Sequence, residues 1–244
     1  MATQSRLPAF LLTRPTAQSA RFAAQLRQRF GQELAITISP MLAPTFLQPH
    51  LPTDPVAALI FTSETGVAAY QGLQTRPMGL PNRAYCVGAR TAKAAKMAGL
   101  EPVSADGDAA TLIALLRAEK PEGLLLHICG KHTRGEVAQT LTAADMQAKA
   151  CVAYCQAEQP LSPAAIALLT GESPVLVPLF SPRSAALFCD QALALGPLAP
   201  LNFAVLSKAV GESISNRVTA KLCYAEEPTA ESLIDAIAVV YAAS

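Results

Sequence analysis

Charge is scarce in this chain of 244 residues: only 15% are Asp, Glu, Lys or Arg, against about a quarter in an average soluble domain. The 19 basic and 18 acidic residues nearly cancel. That balance excludes a global field able to gather nucleic acid or an anionic membrane, so any anionic ligand must be held by local groups. Long apolar runs are lacking too. Mean hydropathy is +0.30, yet the long uncharged stretch Gln191 to Ser207 contains Gly196, Pro197 and Pro200. It reads as helix, turn and strand, not as a membrane span. The opening MATQSRLPAF has no basic segment leading into a long apolar run, so no export signal is expected. Six cysteines (Cys86, Cys129, Cys151, Cys155, Cys189 and Cys223) show no CxxC spacing. They suit buried thiols of a cytoplasmic protein.

The common catalytic signatures are missing as well. There is no HExxH, no GxxxxGK[ST] and no GxSxG. VGARTA has part of a glycine-rich loop without GxGxxG, which leaves a nucleotide-dependent regulator or transferase as a weak alternative. The three histidines, His50, His127 and His132, are too few and too separated for a metal site or a triad, so no metal is expected. His127 lies in an apolar run and reads as a core residue, and Cys151 and Cys155, four apart on one strand face, read as core thiols.

What is present is alternation. Short apolar runs (AFLLT, ALIFTS, AYCVG, GLLLHIC, VLVPLFS, NFAVLS) recur with helical patterns between them, which argues for parallel sheets covered by helices. Thr13, Pro15 and the stripe Phe22, Leu26, Phe30 before Gly31 predict a helix with a cap, a first-turn proline and a stop. Sliding the chain against itself by about 120 residues gives three collinear matches. FTSETGVAAY meets LFSPRSAALF with Ser63 on Ser181, CVGARTA meets VLSKAVG with Gly88 on Ser207, and ATLIALL meets ESLIDAI with Leu112 on Leu233.

The repeat predicts two similar α/β lobes, each a parallel sheet of flavodoxin-like type. Segments 33–44 and 148–160 are rich in β-formers and bounded by proline, so they read as two extended crossovers. One lobe is then residues 1–36 with 160–244, the other is 45–149, and 37–44 and 150–159 form a two-stranded linker. A ligand is expected in a cleft between the lobes, at the carboxyl ends of both sheets. The turns at Thr62-Ser63 and Ser181-Pro182-Arg183-Ser184 each end a strand and open a helix, where free N–H groups suit carboxylate or phosphate. A third turn, ICGKHTRGE, offers Gly130, Lys131, His132 and Arg134 to an anion.

In order and spacing, LLTRP (11–15), IFTSETGV (60–67), CVGARTA (86–92), CGKHTRGEV (129–137), VAYCQ (152–156), LFSPRSAALF (179–188), VLSKAV (205–210) and the run from Ala225 to Leu233 together resemble the uroporphyrinogen-III synthase (HemD) family. The resemblance implies two α/β lobes joined by paired strands. It implies an enzyme of porphyrin and heme biosynthesis, a cyclising lyase that converts linear hydroxymethylbilane to uroporphyrinogen III with loss of water and inversion of ring D. No cofactor is implied. Tyr154 matches the family's linker tyrosine, and a phenol O–H can assist departure of the substrate hydroxyl. The implied substrate-binding set is Thr13, Arg14, Thr62, Ser63, Gly88, Thr91, Gly130, Arg134, Ser181, Arg183, Ser184 and Ser207. Cys155 replaces the charged residue often found after the tyrosine, and Ala209 and Val210 stand where several relatives carry threonine. A cytoplasmic monomer is expected, with transient handover from hydroxymethylbilane synthase. The competing reading is a two-lobed anion-binding protein without catalysis.

Overall fold

The computed structural model describes residues 8–74, 79–131, 136–214, 218 and 220–242, without the side chains of 240–242. Strands and helices alternate along the chain. Its first part runs β1 (Ala9–Leu12), α1 (Thr16–Phe30), β2 (Ile36–Ile38), β3 (Leu42–Phe46), β4 (Val56–Phe61), α2 (Glu64–Gln71), β5 (Arg83–Cys86), α3 (Ala89–Met97), β6 (Glu101–Ser104) and α4 (Ala109–Glu119). It continues through β7 (Leu124–Gly130), α5 (Val137–Thr142), β8 (Ala148–Glu158), α6 (Pro163–Leu169), β9 (Val175–Leu179), α7 (Pro182–Leu193), β10 (Leu201–Val205), α8 (Lys208–Glu212), β11 (Ala220–Tyr224) and α9 (Ala230–Ala242). Among the described residues no helix is long and apolar enough to cross a membrane.

The described residues divide into two compact units, one from Met1–Ala43 with Glu158–Ser244 and the other from Pro44–Ala157. The first holds a sheet in the order β11-β10-β9-β1-β2, the second one in the order β3-β8-β7-β4-β5-β6. Numbered along the chain, the strands of the first sheet run 2-1-3-4-5, the flavodoxin order. Five strands of the second sheet repeat that order if counting starts at β7, so the second unit is a circular permutation of the first.

Strand sequence and covering helices explain each other. In the first unit Leu11, Val177, Leu179, Phe203 and Val205 pack on one face with residues of α6 and α7, while Phe10, Leu12, Leu176 and Ala204 pack on the other with α1 and α9. In the second unit Leu59, Phe61, Leu126 and Ile128 share one face, and Ala58, Ile60 and Leu125 the other. Successive residues point to opposite faces and both faces are covered, so these strands must be apolar throughout.

Three sequence expectations need revision. Residues 37–44 are not one linker strand: β2 pairs in parallel with β1, and the chain turns before β3 enters the other sheet. Residues 150–159 lie mostly within β8, which pairs with β7 from Ala148 onward and has β3 on its other side, so it belongs to the second sheet. Nor is Thr13 a helix cap. The N-cap of α1 is Pro15, while Thr13 is 1% exposed and its carbonyl accepts the Met41 N–H. Gly31 does end α1, at φ +109° where a side chain would be strained.

Candidate functional site

In open α/β sheets, ligands gather at the carboxyl ends of the two neighbouring strands from which the connections depart in opposite directions. Those neighbours are β1 and β9 in the first unit, and β7 and β4 in the second. At or just beyond their carboxyl ends stand Thr13, Arg14 and Ser181–Ser184 in the first, and Thr62, Ser63 and Gly130 in the second. Gly88 and Ser207 follow the next strand out in each case, as N-caps of α3 and α8. The sequence-selected residues therefore fall on equivalent strand ends.

In the second unit Ser63 is the N-cap of α2, and its Oγ accepts the Gly66 N–H at 3.1 Å. The same Oγ lies 3.1 Å from the Tyr154 Oη. Tyr154 reaches it from β8, where it stands opposite Gly130 after an irregularity in the β7–β8 register. The Lys131 N–H donates to the Tyr154 carbonyl at 2.8 Å, fixing that backbone. Gly130 is required by the ring itself: a Cβ there would fall 2.8 Å from two Tyr154 ring carbons. Gly66 is equally constrained, since its Cβ would sit 2.9 Å from the Ile128 carbonyl oxygen. Beside this cluster Thr62 Oγ1 lies 3.3 Å from the Nε2 of His127, which is 3% exposed. Burial pushes the His127 pKa down to about 4, so the ring is neutral near pH 7. Thr91, in the first turn of α3, is buried. Cys155 projects to the opposite side of β8 from Tyr154.

The first unit repeats the cap with a different neighbourhood. Ser181 caps α7 ahead of Pro182, its Oγ accepting the Ser184 N–H at 3.3 Å and donating to Ser184 Oγ at 3.0 Å. The guanidinium carbon of Arg14 lies over the Phe180 ring, 4.0 Å from its centre, and its Nε donates to Gln18. Its guanidinium is thus held at the strand end by stacking as well as by hydrogen bonding. Arg183 is exposed in the first turn of α7. Ser207 makes no side-chain cap, so its hydroxyl is not committed to the helix it precedes. Close by, Gly211 leaves room for the Tyr224 ring, whose Oη a Cβ would approach to 2.6 Å.

Two sequence candidates, His132 and Arg134, lie outside the described residues. Two others were not apparent from the sequence. His127 looks like core by its neighbours, and only the β4–β7 register, which sets it opposite Ile60, brings it beneath Thr62. Gly66 falls within IFTSETGV, and the reason for a glycine there appears only when α2 is seen against β7. Among the described residues no group of three His, Cys, Asp or Glu is placed to hold a metal.

No curated protein sequence matches the chain. Among solved structures, uroporphyrinogen-III synthetase from Helicobacter pylori 26695 superposes with a TM-score of 0.62 at 14% identity, over 96% of this chain and 100% of that one. A mutant uroporphyrinogen III synthase from the extremely thermophilic bacterium Thermus thermophilus gives a TM-score of 0.45 at 13% identity, over 97% and 100%. The Helicobacter likeness establishes the fold alone. A sequence profile described as uroporphyrinogen-III synthase HemD matches residues 20–235, a span holding Ser63, Tyr154, Ser181 and Ser207, and by that match the chain belongs to the HemD family of uroporphyrinogen-III synthases.

Proposed function

We propose that the strand-end turns described above bind the carboxylates of hydroxymethylbilane and that Tyr154 assists departure of its hydroxyl. The activity itself comes with the family: cyclisation of hydroxymethylbilane to uroporphyrinogen III in tetrapyrrole synthesis. In the reaction the terminal hydroxyl takes up a proton and leaves as water, and loss of the ring N–H proton gives an azafulvene. Ring D is attacked at its substituted carbon, and the spiro intermediate fragments and recloses with that ring inverted. No electrons are gained or lost overall, so the chemistry calls for no redox cofactor. Because the free substrate closes unaided to the uninverted isomer, the enzyme's task is to hold one folded conformation; positioning outweighs acid–base power.

The observation that carries this reading is the 3.1 Å contact of Tyr154 Oη with Ser63 Oγ at the start of α2. Ser63 already accepts the Gly66 N–H, so its own proton can go to the tyrosine oxygen. Tyr154 then keeps its O–H for the departing hydroxyl. Backbone amides and hydroxyls at the helix starts can satisfy carboxylates without a large net charge on the protein. The protein acts as a cytoplasmic monomer that receives its unstable substrate by transient contact with hydroxymethylbilane synthase.

The test is to add the protein to freshly generated hydroxymethylbilane and separate the oxidised isomers against a protein-free control. Predominant isomer III is expected. For Tyr154→Phe the rate should fall about a hundredfold, the lower end for a lost proton donor, with little change in KM. Wild-type protein giving isomer I at the control rate overturns the activity; an unchanged rate for Tyr154→Phe overturns the role of the phenol.

A further inference from the structure

His127 is buried in β7 and takes no part in the steps above. Its ring is not idle: Nε2 lies 3.3 Å from Thr62 Oγ1, and Thr62 is partly exposed at the carboxyl end of β4, next to Ser63. A neutral imidazole has one N–H and one lone pair, so this contact exists in two forms with opposite consequences. If Nε2 holds the lone pair, it accepts the threonine proton, and the hydroxyl turns oxygen lone pairs toward the rim. A carboxylate is then repelled. If Nε2 holds the proton, it donates to Oγ1, and the threonine keeps its own O–H to donate outward. A carboxylate is then bound.

We infer that His127 is a positioning residue, an Nε2–H donor behind Thr62 that aims the threonine hydroxyl proton at a substrate carboxylate. The inference rests on the reading that this rim binds carboxylates. Thr62 can rotate its hydroxyl freely without such a partner, whereas a fixed donor behind the oxygen selects one rotamer before the ligand arrives. The histidine does this from inside the sheet, where its ring is 3% exposed and water competes little for it.

The experiment has a spectroscopic arm and a kinetic arm. Long-range ¹H–¹⁵N correlation spectra of the intact protein at pH 7 should show His127 as the neutral Nε2–H tautomer; a protonated Nδ1 with bare Nε2 overturns the inference whatever the activity. With hydroxymethylbilane, His127→Met should raise KM about tenfold with kcat within twofold, the loss expected for one hydrogen bond to a charged group. His127→Gln, which keeps an N–H donor at a similar reach, should stay within threefold of wild type. Thr62→Val should match His127→Met, and the double variant should be no worse than either single one, because both remove one interaction. Additive losses, or a fall in kcat at constant KM, mean that His127 only supports the fold and overturn the proposal. Failure of the carboxylate reading is separate: there Thr62→Val leaves KM unchanged while the tautomer remains as stated.

Discussion

Acidification should unfold this protein in part through His127. In the folded state burial brings its pKa from the usual 6.5 to about 4; in the unfolded chain it returns to 6.5. Folding therefore excludes a proton that the unfolded chain binds below pH 6.5, and stability falls as pH drops through that value toward 4. The full linkage is about 3 kcal/mol, with about 1 kcal/mol lost by pH 6 and about 2 kcal/mol by pH 5. Above pH 7 the contribution is nearly complete and flat. The assay is urea denaturation of the wild type and of His127→Gln at pH 7, 6 and 5. The substitution also alters a buried contact, so the quantity to read is the change with pH in the difference between the two proteins. Other titrating groups, such as Asp108 with its carboxylate held below the usual range by the Thr111 N–H, act equally in both and cancel. The difference should narrow by about 2 kcal/mol between pH 7 and pH 5. A constant difference over that range refutes the burial of a neutral imidazole at this position.

Three further outcomes follow from the geometry. Gly130→Ala places a Cβ 2.8 Å from the Tyr154 ring and must move it, so turnover should fall toward that of Tyr154→Phe while the melting temperature changes by only a few degrees; wild-type turnover would show that the ring's place is immaterial. Ser181→Ala removes the cap of α7 and should cost about 1 kcal/mol in urea denaturation, whereas Ser207→Ala, which removes no side-chain cap, should cost less; equal losses would contradict the capping assignment. Burial pushes the Cys86 thiol up to about 12 and the Cys151 thiol up to about 11, so a thiol reagent at pH 8 should label the half-buried Cys155 first and these two only on unfolding, as peptide mapping would reveal.

The parallel sheets were legible because each central strand is an uninterrupted apolar run and each following helix has a readable start. Ser63 and Ser181 read as helix starts by residue type and place, and both side chains do accept an N–H three residues on. Thr13 misled because its residue type suits a cap while the strand-end turn uses it otherwise: the side chain is buried and the carbonyl is engaged by Met41. His127 misled in the opposite sense. Its apolar neighbours describe the strand correctly and say nothing of the residue across the ladder, and a contact 65 positions away in sequence depends on register alone. The constraint at Gly130 was hidden for the same reason, since Tyr154 arrives from a strand whose register shifts just before the pair.

The strand order carries the repeat beyond the three sequence matches. β4 through α4 and β9 through α9 run in the same direction along the chain, so one shift aligns them. β1 and β2 correspond to β7 and β8, again the earlier pair to the later, so a displacement of similar size and the same sign aligns these as well. The same topology describes the second unit as an insertion after the second strand of the first. An insertion of that kind needs its two ends close together. Here the chain supplies this by pairing the outgoing and returning segments: the Gln159 N–H donates to the Met41 carbonyl at 3.0 Å, and the Leu47 N–H donates to the Ala153 carbonyl at 2.8 Å, an antiparallel register. Tyr154 is the residue beside that last contact. The strand that permits the insertion is therefore the one that delivers the phenol to Ser63, which is why the proposed catalytic residue lies on a segment that sequence patterning assigns to a linker.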